Sequence, residues 1–450
     1  MILPELALAR EGATSRLGAA IALLVTATLG CASAPPASSR RPPAPEAPFA
    51  YRDPRQGAPA GELSTRDARA VESVVDALRR GDAAAAQSAL SQRKRRTTPD
   101  APPVRLAAAY VAVAAGESET ARAVLAELAA AWPGWAAAVE AEADLAAAEG
   151  RTADALERYR TLLRLLPSDR RAKARVEALR GELARAKKVE AEEALRKGDV
   201  DSARRAAHAL LQLEPGSAAG LVLLSRAATE SGRNEDAWTW AKEARRSAPA
   251  DLSVAAFAAD AAARAGRWAD AATLYEGLAA ADASFAPKAE DARFEFRVQN
   301  LPEAARQAAD ATRLTRAQLA SLLWWTVPEF REALVPPGVE IAVDVVDRSD
   351  RAALVRAIGL GFFSVSQETH RVGADVAVAR TEMAPVLRRV ALLAGRGRPP
   401  RGCLAPEAVT ASALAECGIL PDTPSRQVSG REALRALEKA ARLGREGGTR

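Results

Sequence analysis

Six glycines, Gly81, Gly116, Gly150, Gly198, Gly232 and Gly266, divide the middle of this chain at intervals of 35, 34, 48, 34 and 34 residues. Each is followed five residues later by an alanine (Ala86, Ala121, Ala155, Ala203, Ala237, Ala271), and four residues after that by Leu90, Leu125, Tyr159, Ala207, Ala241 or Tyr275. Four units close on a proline seventeen residues past the glycine: Pro133, Pro167, Pro215 and Pro249. A fixed period near 34 marks stacked helical hairpins, none of which can bury its apolar face alone. The glycine suits the left-handed turn that ends a first helix. The alanine suits a close helix crossing, and the residue four later shares its buried face. The proline ends the second helix. Alanine dominates and aromatics are only 4% of the chain, which favours helix throughout. The expected fold class is all-α.

This pattern resembles the tetratricopeptide repeat, which implies a helical-hairpin superhelix over 62–312 with a degenerate last unit carrying Asn300, Ala305 and Ala309. Such arrays line their concave face with the first helix of each pair. With the glycine as repeat position 15, positions 2, 5, 9 and 12 nominate Glu140, Asp144, Arg185, Lys188, Glu192, Arg226, Thr229 and Asp260 as a partner-binding groove. Its signs are mixed. The only asparagines, Asn234 and Asn300, fall in turns, which excludes the paired-asparagine grip that some members use on a peptide C-terminus. The 48-residue gap adds 14 residues, about four helical turns. Residues 169–197 therefore read as one long helix, or as two abutting at Gly181, with Val176, Leu179, Leu183 and Ala186 on one stripe. The extra length is either an elongated repeat helix or a protruding arm that meets a partner.

The N-terminus reads as an address. Residues 17–29 form an uncharged, mostly apolar run behind Arg10 and Arg16, too short to span a bilayer but suited to a signal-peptide core over 1–30. Thr28-Leu29-Gly30-Cys31 resembles the bacterial lipobox, which implies lipidation of Cys31. Ala32 just after it implies retention in the outer membrane, facing the periplasm. Residues 31–61 are rich in Pro, Ala and Ser and read as a disordered tether. The basic run 93–96 reads as a solvated loop, and nucleic acid is not expected as a partner.

The 34-residue period stops near residue 312. Leu314-Thr315-Arg316-Ala317-Gln318, Val378-Ala379-Arg380-Thr381-Glu382 and Val428-Ser429-Gly430-Arg431-Glu432 then each open a helix. Thr315 with Gln318 and Ser429 with Glu432 are capping boxes. Shorter helices end at Gly361-Phe362-Phe363 and Gly418-Ile419-Leu420. Together with Asp344-Val345-Val346-Asp347, this resembles the S-layer homology module over 313–441, followed by a short tail, 442–450. The resemblance implies contact with cell-wall polysaccharide, centred on Arg380 and Glu382. Arg348-Ser349-Asp350-Arg351 stands where the family carries an aromatic, and Gly430 where it carries the motif arginine. The other reading of this region is a capped helical end for the repeat stack.

Little else suggests chemistry. The two histidines, His208 and His370, lack the spacing of metal ligands, and no phosphate-cradling glycine loop or cysteine–histidine dyad stands out. No cofactor, metal or catalytic residue is expected, and no enzyme. Cys403 and Cys417, fourteen residues apart in an exported chain, are expected to form a disulfide, with two free thiols as the alternative. The expected function is a lipid-anchored envelope scaffold or tether for a protein partner. The alternative is an assembly factor or pilot lipoprotein that chaperones an outer-membrane component.

Overall fold

The structure, a computed structural model, describes residues 49–59, 63–92, 101–398, 404–405, 411–421, 423 and 425–447. The signal segment, Cys31, the basic run 93–96, Cys403 and residues 448–450 lie outside these. The chain divides into two compact units, Met1–Gly150 and Arg151–Arg450. Among the described residues the regular elements are all helical, apart from two isolated bridges, Thr315 with Ala377 and Ala379 with Gln427. The fold is all-α.

The first unit contains α1 (Thr65–Arg79), α2 (Ala83–Ser91), α3 (Pro102–Ala114), α4 (Ser118–Ala131) and α5 (Ala136–Ala148). Ser64 and Asp82 cap α1 and α2 by accepting from the amides of Asp67 and Ala85, satisfying donors that a helix start leaves open. Helix α3 packs on α1, α2 and α4, and α5 on α3 and α4.

The second unit continues the hairpins with α6 (Thr152–Leu165), α7 (Arg170–Arg196), α8 (Val200–Leu213), α9 (Ala218–Glu230), α10 (Asn234–Ser247), α11 (Leu252–Arg264), α12 (Trp268–Ala279), α13 (Ala286–Gln299) and α14 (Glu303–Asp310). The periodic residues behave as their spacing predicts. All six glycines take positive φ, between 68° and 81°. The six alanines are at most 1% exposed. Trp132, Leu166, Glu214 and Ala248, each directly before a proline, leave the helical region with ψ between 68° and 84°, because the proline ring clashes with a helical predecessor. Asn300, at the degenerate glycine position, has φ −92° instead, and its side-chain amide donates back to the Phe296 carbonyl at 2.7 Å.

Helix α7 is unbroken at Gly181. It has 27 residues where α9 and α11 have 13, so the added 14 residues all go into one first helix. It packs on both α6 and α8, which makes it an elongated repeat helix.

The C-terminal third holds α15 (Arg316–Thr326), α16 (Pro328–Glu332), α17 (Arg351–Gly359), α18 (Arg380–Ala394), α19 (Ala411–Glu416) and α20 (Gly430–Gly447). No core boundary falls at residue 312. One hydrophobic core runs from Phe294, Val298, Ala305 and Ala308 of the last repeat to Leu434, Leu437 and Ala441 of α20. Residues 442–447, read from sequence as part of a tail, are the last turns of α20.

Candidate protein-binding groove and C-terminal ring

The first unit shows what its groove can hold. Repeat positions 5 and 9 place Leu106 and Tyr110 on α3, and Glu140 and Asp144 on α5, and all four are nearly inaccessible to solvent. Residues 49–59 lie against them. The rings of Phe49 and Tyr51 meet the Tyr110 ring edge-on, at 5.9 and 5.5 Å between centroids. The Ala50 amide donates to Asp144 Oδ2 at 2.9 Å, and the Arg52 guanidinium pairs with Glu140.

Three side chains then read the segment's carbonyls. Tyr110 Oη donates to Arg52 at 3.0 Å, Arg79 Nη2 to Tyr51 at 3.1 Å, and Trp135 Nε1 to Gln56 at 3.2 Å. Burial, and then the carboxylates of Glu140 and Asp144, push the Tyr110 phenol well above its ordinary pKa, so it stays a neutral donor. The tether expected over 31–61 therefore does not extend through 49–59. Phe49, Tyr51 and the buried Pro54 give this stretch the apolar surface that its Pro/Ala-rich surroundings lack.

In the second unit the other groove candidates are more open. Lys188 and Glu192 pair with each other along α7 at 3.8 Å. Thr229 donates to the Ser225 carbonyl of its own helix at 3.0 Å. Asp260 on α11 accepts from Lys288 at 3.0 Å and from the Tyr275 hydroxyl. Arg185 and Arg226 are exposed and form no ion pair among the described residues. The same four positions on α13 are Pro287, Glu290, Phe294 and Arg297, and α20 lies over them. Arg435 sits 4.0 Å above the Phe294 ring and pairs with Asp291, while Arg297 pairs with Glu438 at 2.8 Å. A cavity of about 600 Å³ remains between the two helices.

The three motif helices of the C-terminal third meet in a ring. The Val378 amide donates to the Leu314 carbonyl at 2.8 Å, Leu314 to Val428 at 2.9 Å, and Val428 to Val378 at 3.4 Å. All three side chains are buried. The arginine that begins each of the first two helices reaches to the next copy. Arg316 bonds the Val372 carbonyl and Glu382, both at 2.6 Å. Arg380 repeats this one copy on, bonding the carbonyls of Pro421 at 2.6 Å and Ser425 at 3.2 Å and Glu432 at 3.0 Å.

Both glycan candidates are thus engaged in bonds within the protein, though Glu382 keeps part of its side chain in solvent. Arg380 is 7% exposed, and its guanidinium staples the loop that feeds α20. Glu382 accepts from Arg316 and from the Ala379 amide at 3.0 Å. That closes half a capping box, since alanine offers no side-chain acceptor. The boxes of Thr315 with Gln318 and Ser429 with Glu432 both form.

The third junction lacks its arginine because of Gly430. A Cβ there would stand 1.9 Å from the Ala308 carbonyl oxygen, and the Gly430 amide donates to Ala311 at 2.8 Å. Helix α14 enters the ring at this point. The carboxylate partner is absent as well, for Gln318 occupies the place that Glu382 and Glu432 hold in the other copies. Asp344 fixes the loop before α18 by accepting from the amides of Val372, Gly373 and Ala374 at 2.8–3.0 Å. Burial alone would raise its pKa, but these amides outweigh burial and lower it. Cys417 is disulfide-bonded, while Cys403 lies outside the described residues.

Sequence reasoning missed Tyr110, Trp135 and Arg79. Tyr110 was within reach, since it stands at position 9 of its repeat. Trp135 and Arg79 stand outside the four positions read. Among the described residues no group of His, Cys, Asp and Glu is placed to hold a metal, and no helix is long and apolar enough to cross a membrane.

The repeats are stacked helical hairpins, the fold that the tetratricopeptide resemblance implies. No protein-family model matches the chain, and no curated protein does. Among solved structures it is similar to the TPR2AB-domain:pHSP90 complex of yeast Sti1, at 16% identity over 50% of this chain and 96% of that one, with a TM-score of 0.24. The P58(IPK) TPR domain is similar at 17% identity over 52% and 66%, with a TM-score of 0.24. TTC0263, a thermophilic TPR protein of Thermus thermophilus, is similar at 18% over 42% and 96%, with a TM-score of 0.20. At these scores the likeness adds no argument of its own, and the hairpin geometry carries the fold.

Proposed function

We propose that this protein is a lipid-anchored scaffold of the cell envelope that binds a protein partner on the concave face of its repeats. One observation carries the reading: the first unit already holds a non-helical segment against that face, gripped through its backbone and through charge. The open positions of the second unit, Arg185, Lys188, Glu192 and Arg226, offer an exposed, mixed-charge surface at the corresponding repeat positions to another chain. The lipobox-like Thr28-Leu29-Gly30-Cys31 supports anchoring at Cys31, with the protein facing the periplasm from the outer membrane. The C-terminal ring acts in this account as a closure for the last repeat, because Arg380 and Glu382 are spent on internal bonds. A pilot or assembly role would use the same face with a client that is later released.

The test is a crosslinked pull-down of the anchored, full-length protein from envelope fractions, run in parallel with fractionation of Cys31→Ser. The wild type is expected to capture a defined partner that Lys188→Glu/Arg226→Glu loses, at unchanged helix content. The serine variant is expected in the soluble fraction. Equal capture by the charge-reversed protein would move the partner off the concave face, and membrane retention of the serine variant would end the lipid anchor.

A further inference from the structure

The segment in the first groove is held in a way that selects a particular chemistry. Glu140 and Asp144 are 2% and 1% exposed, and a carboxylate taken out of water needs a cation or an N–H donor. Residues 49–59 supply both, through the Arg52 guanidinium and the Ala50 amide. Tyr110, Arg79 and Trp135 are donors aimed at main-chain carbonyls, so they accept any backbone that follows the same path, whatever its side chains. The aromatic floor takes two rings, those of Phe49 and Tyr51.

The segment is not ideally suited to its place. Tyr51 has φ 43°, a left-handed conformation unfavourable for a bulky residue. Arg52 keeps about a quarter of its side chain in solvent. The contacts hold a backbone geometry that the segment would not choose when free.

We propose that residues 49–59 are a displaceable internal ligand, and that the groove of α1, α3 and α5 is a site for a non-helical protein segment with two aromatic residues followed by an arginine. Such a partner competes with the chain's own segment for the contacts that Arg52 and Ala50 make with Glu140 and Asp144. Charge complementarity singles out this class: Glu140 and Asp144 are buried and negative, Glu72 of α1 adds a pair with Arg55 at 3.3 Å, and Tyr110, Arg79 and Trp135 add contacts that are aromatic or directed to the main chain. The inference rests on the reading of the repeats as a protein-binding surface, but it concerns a different set of residues from the pull-down. A two-component titration can therefore fail while the pull-down succeeds, and the reverse.

The probe is a fluorescent synthetic peptide of residues 47–59, followed by anisotropy against the full-length protein. Phe49→Ala/Arg52→Ala, which weakens the internal segment, is expected to bind the probe at least ten-fold more tightly than the wild type. The same peptide carrying Arg52→Glu is expected to lose at least ten-fold on that variant. Should the double variant lose helix by circular dichroism, Arg52→Ala alone repeats the comparison. Three results would overturn the proposal: probe binding no stronger than that of a scrambled peptide, equal binding by wild type and variant, or a concentration-dependent dimer of the wild type that takes up no probe. The first two make the segment a fixed structural cap. The third makes its trans partner a second copy of this chain.

Discussion

Arg380→Ala is expected to destabilise the second unit by about 3 kcal/mol, at the lower end of the range for removing one member of a buried ion pair. The side chains of Arg380 and Glu432 are 9% and 26% exposed, so Glu432 regains some water when its partner goes and the cost stays near that lower limit. The carbonyls of Pro421 and Ser425 lose their donors in the same step. Lysine should recover less than half of the loss, because one ammonium cannot reproduce a three-point planar contact. The pair also sets a pH dependence. Burial raises the Glu432 pKa, but the Ser429 amide and Arg380 outweigh it and hold the carboxyl below its usual range. Its stabilising contribution is therefore fully present above the ordinary glutamate pKa, and it is lost as pH falls through the depressed folded value. Urea midpoints near neutrality and near about pH 4 should show a smaller acid loss in Arg380→Ala than in the wild type. Equal midpoints for the two proteins at neutral pH would remove the staple from the account.

Gly430→Ala is expected to destabilise, against the propensity of the residue. Alanine in place of glycine in a helix ordinarily gains up to about 1 kcal/mol, largely through a less flexible unfolded chain. Here the new Cβ would lie 1.9 Å from the Ala308 carbonyl oxygen and 2.6 Å from that of Ala309. Both obstacles are backbone, so relief requires α14 to move off α20 through the core they share. Overpacking of this kind costs about 1–3 kcal/mol, and the net change should be a loss. Gly430→Arg, which restores the repeated motif, should be worse still. A midpoint equal to or above that of the wild type for Gly430→Ala would show that α14 yields without penalty, and would leave the missing arginine of the third copy without a reason.

The parts of this fold that were legible from sequence are those governed by period. Gly81 to Gly266, the alanines five residues on and the pre-proline residues need only local rules, and each sits where those rules put it. The capping boxes at Thr315 and Ser429 are local in the same sense. Arg380 shows where such rules stop. Its place at a helix start was readable, but its burial depends on Pro421 and Ser425, which arrive more than forty residues later. A motif arginine that looked like a sugar contact is thereby spent inside the protein. Gly430 looked like a simple departure from the motif, and Gln318 like an ordinary capping-box partner. Only the ring, with α14 entering at Gly430, shows them to be the two halves of one junction. The groove was half legible. Counting positions found Glu140 and Asp144 but could not say what faces them. An irregular segment has no helical period, and composition alone placed 49–59 in a tether.

Hydrogen exchange of the intact protein at residues 49–59 tests the central claim, that the concave face of these repeats holds a non-helical polypeptide segment. The Ala50 amide, donating to Asp144, and the Gln56 amide, donating to the Asp53 carbonyl at 3.1 Å, are expected to exchange at least ten-fold more slowly than in the free peptide. Glu140→Gln should speed both. Exchange of 49–59 at the free-chain rate in the wild-type protein would contradict the account, leaving the groove empty and the proposed function without the observation that carries it.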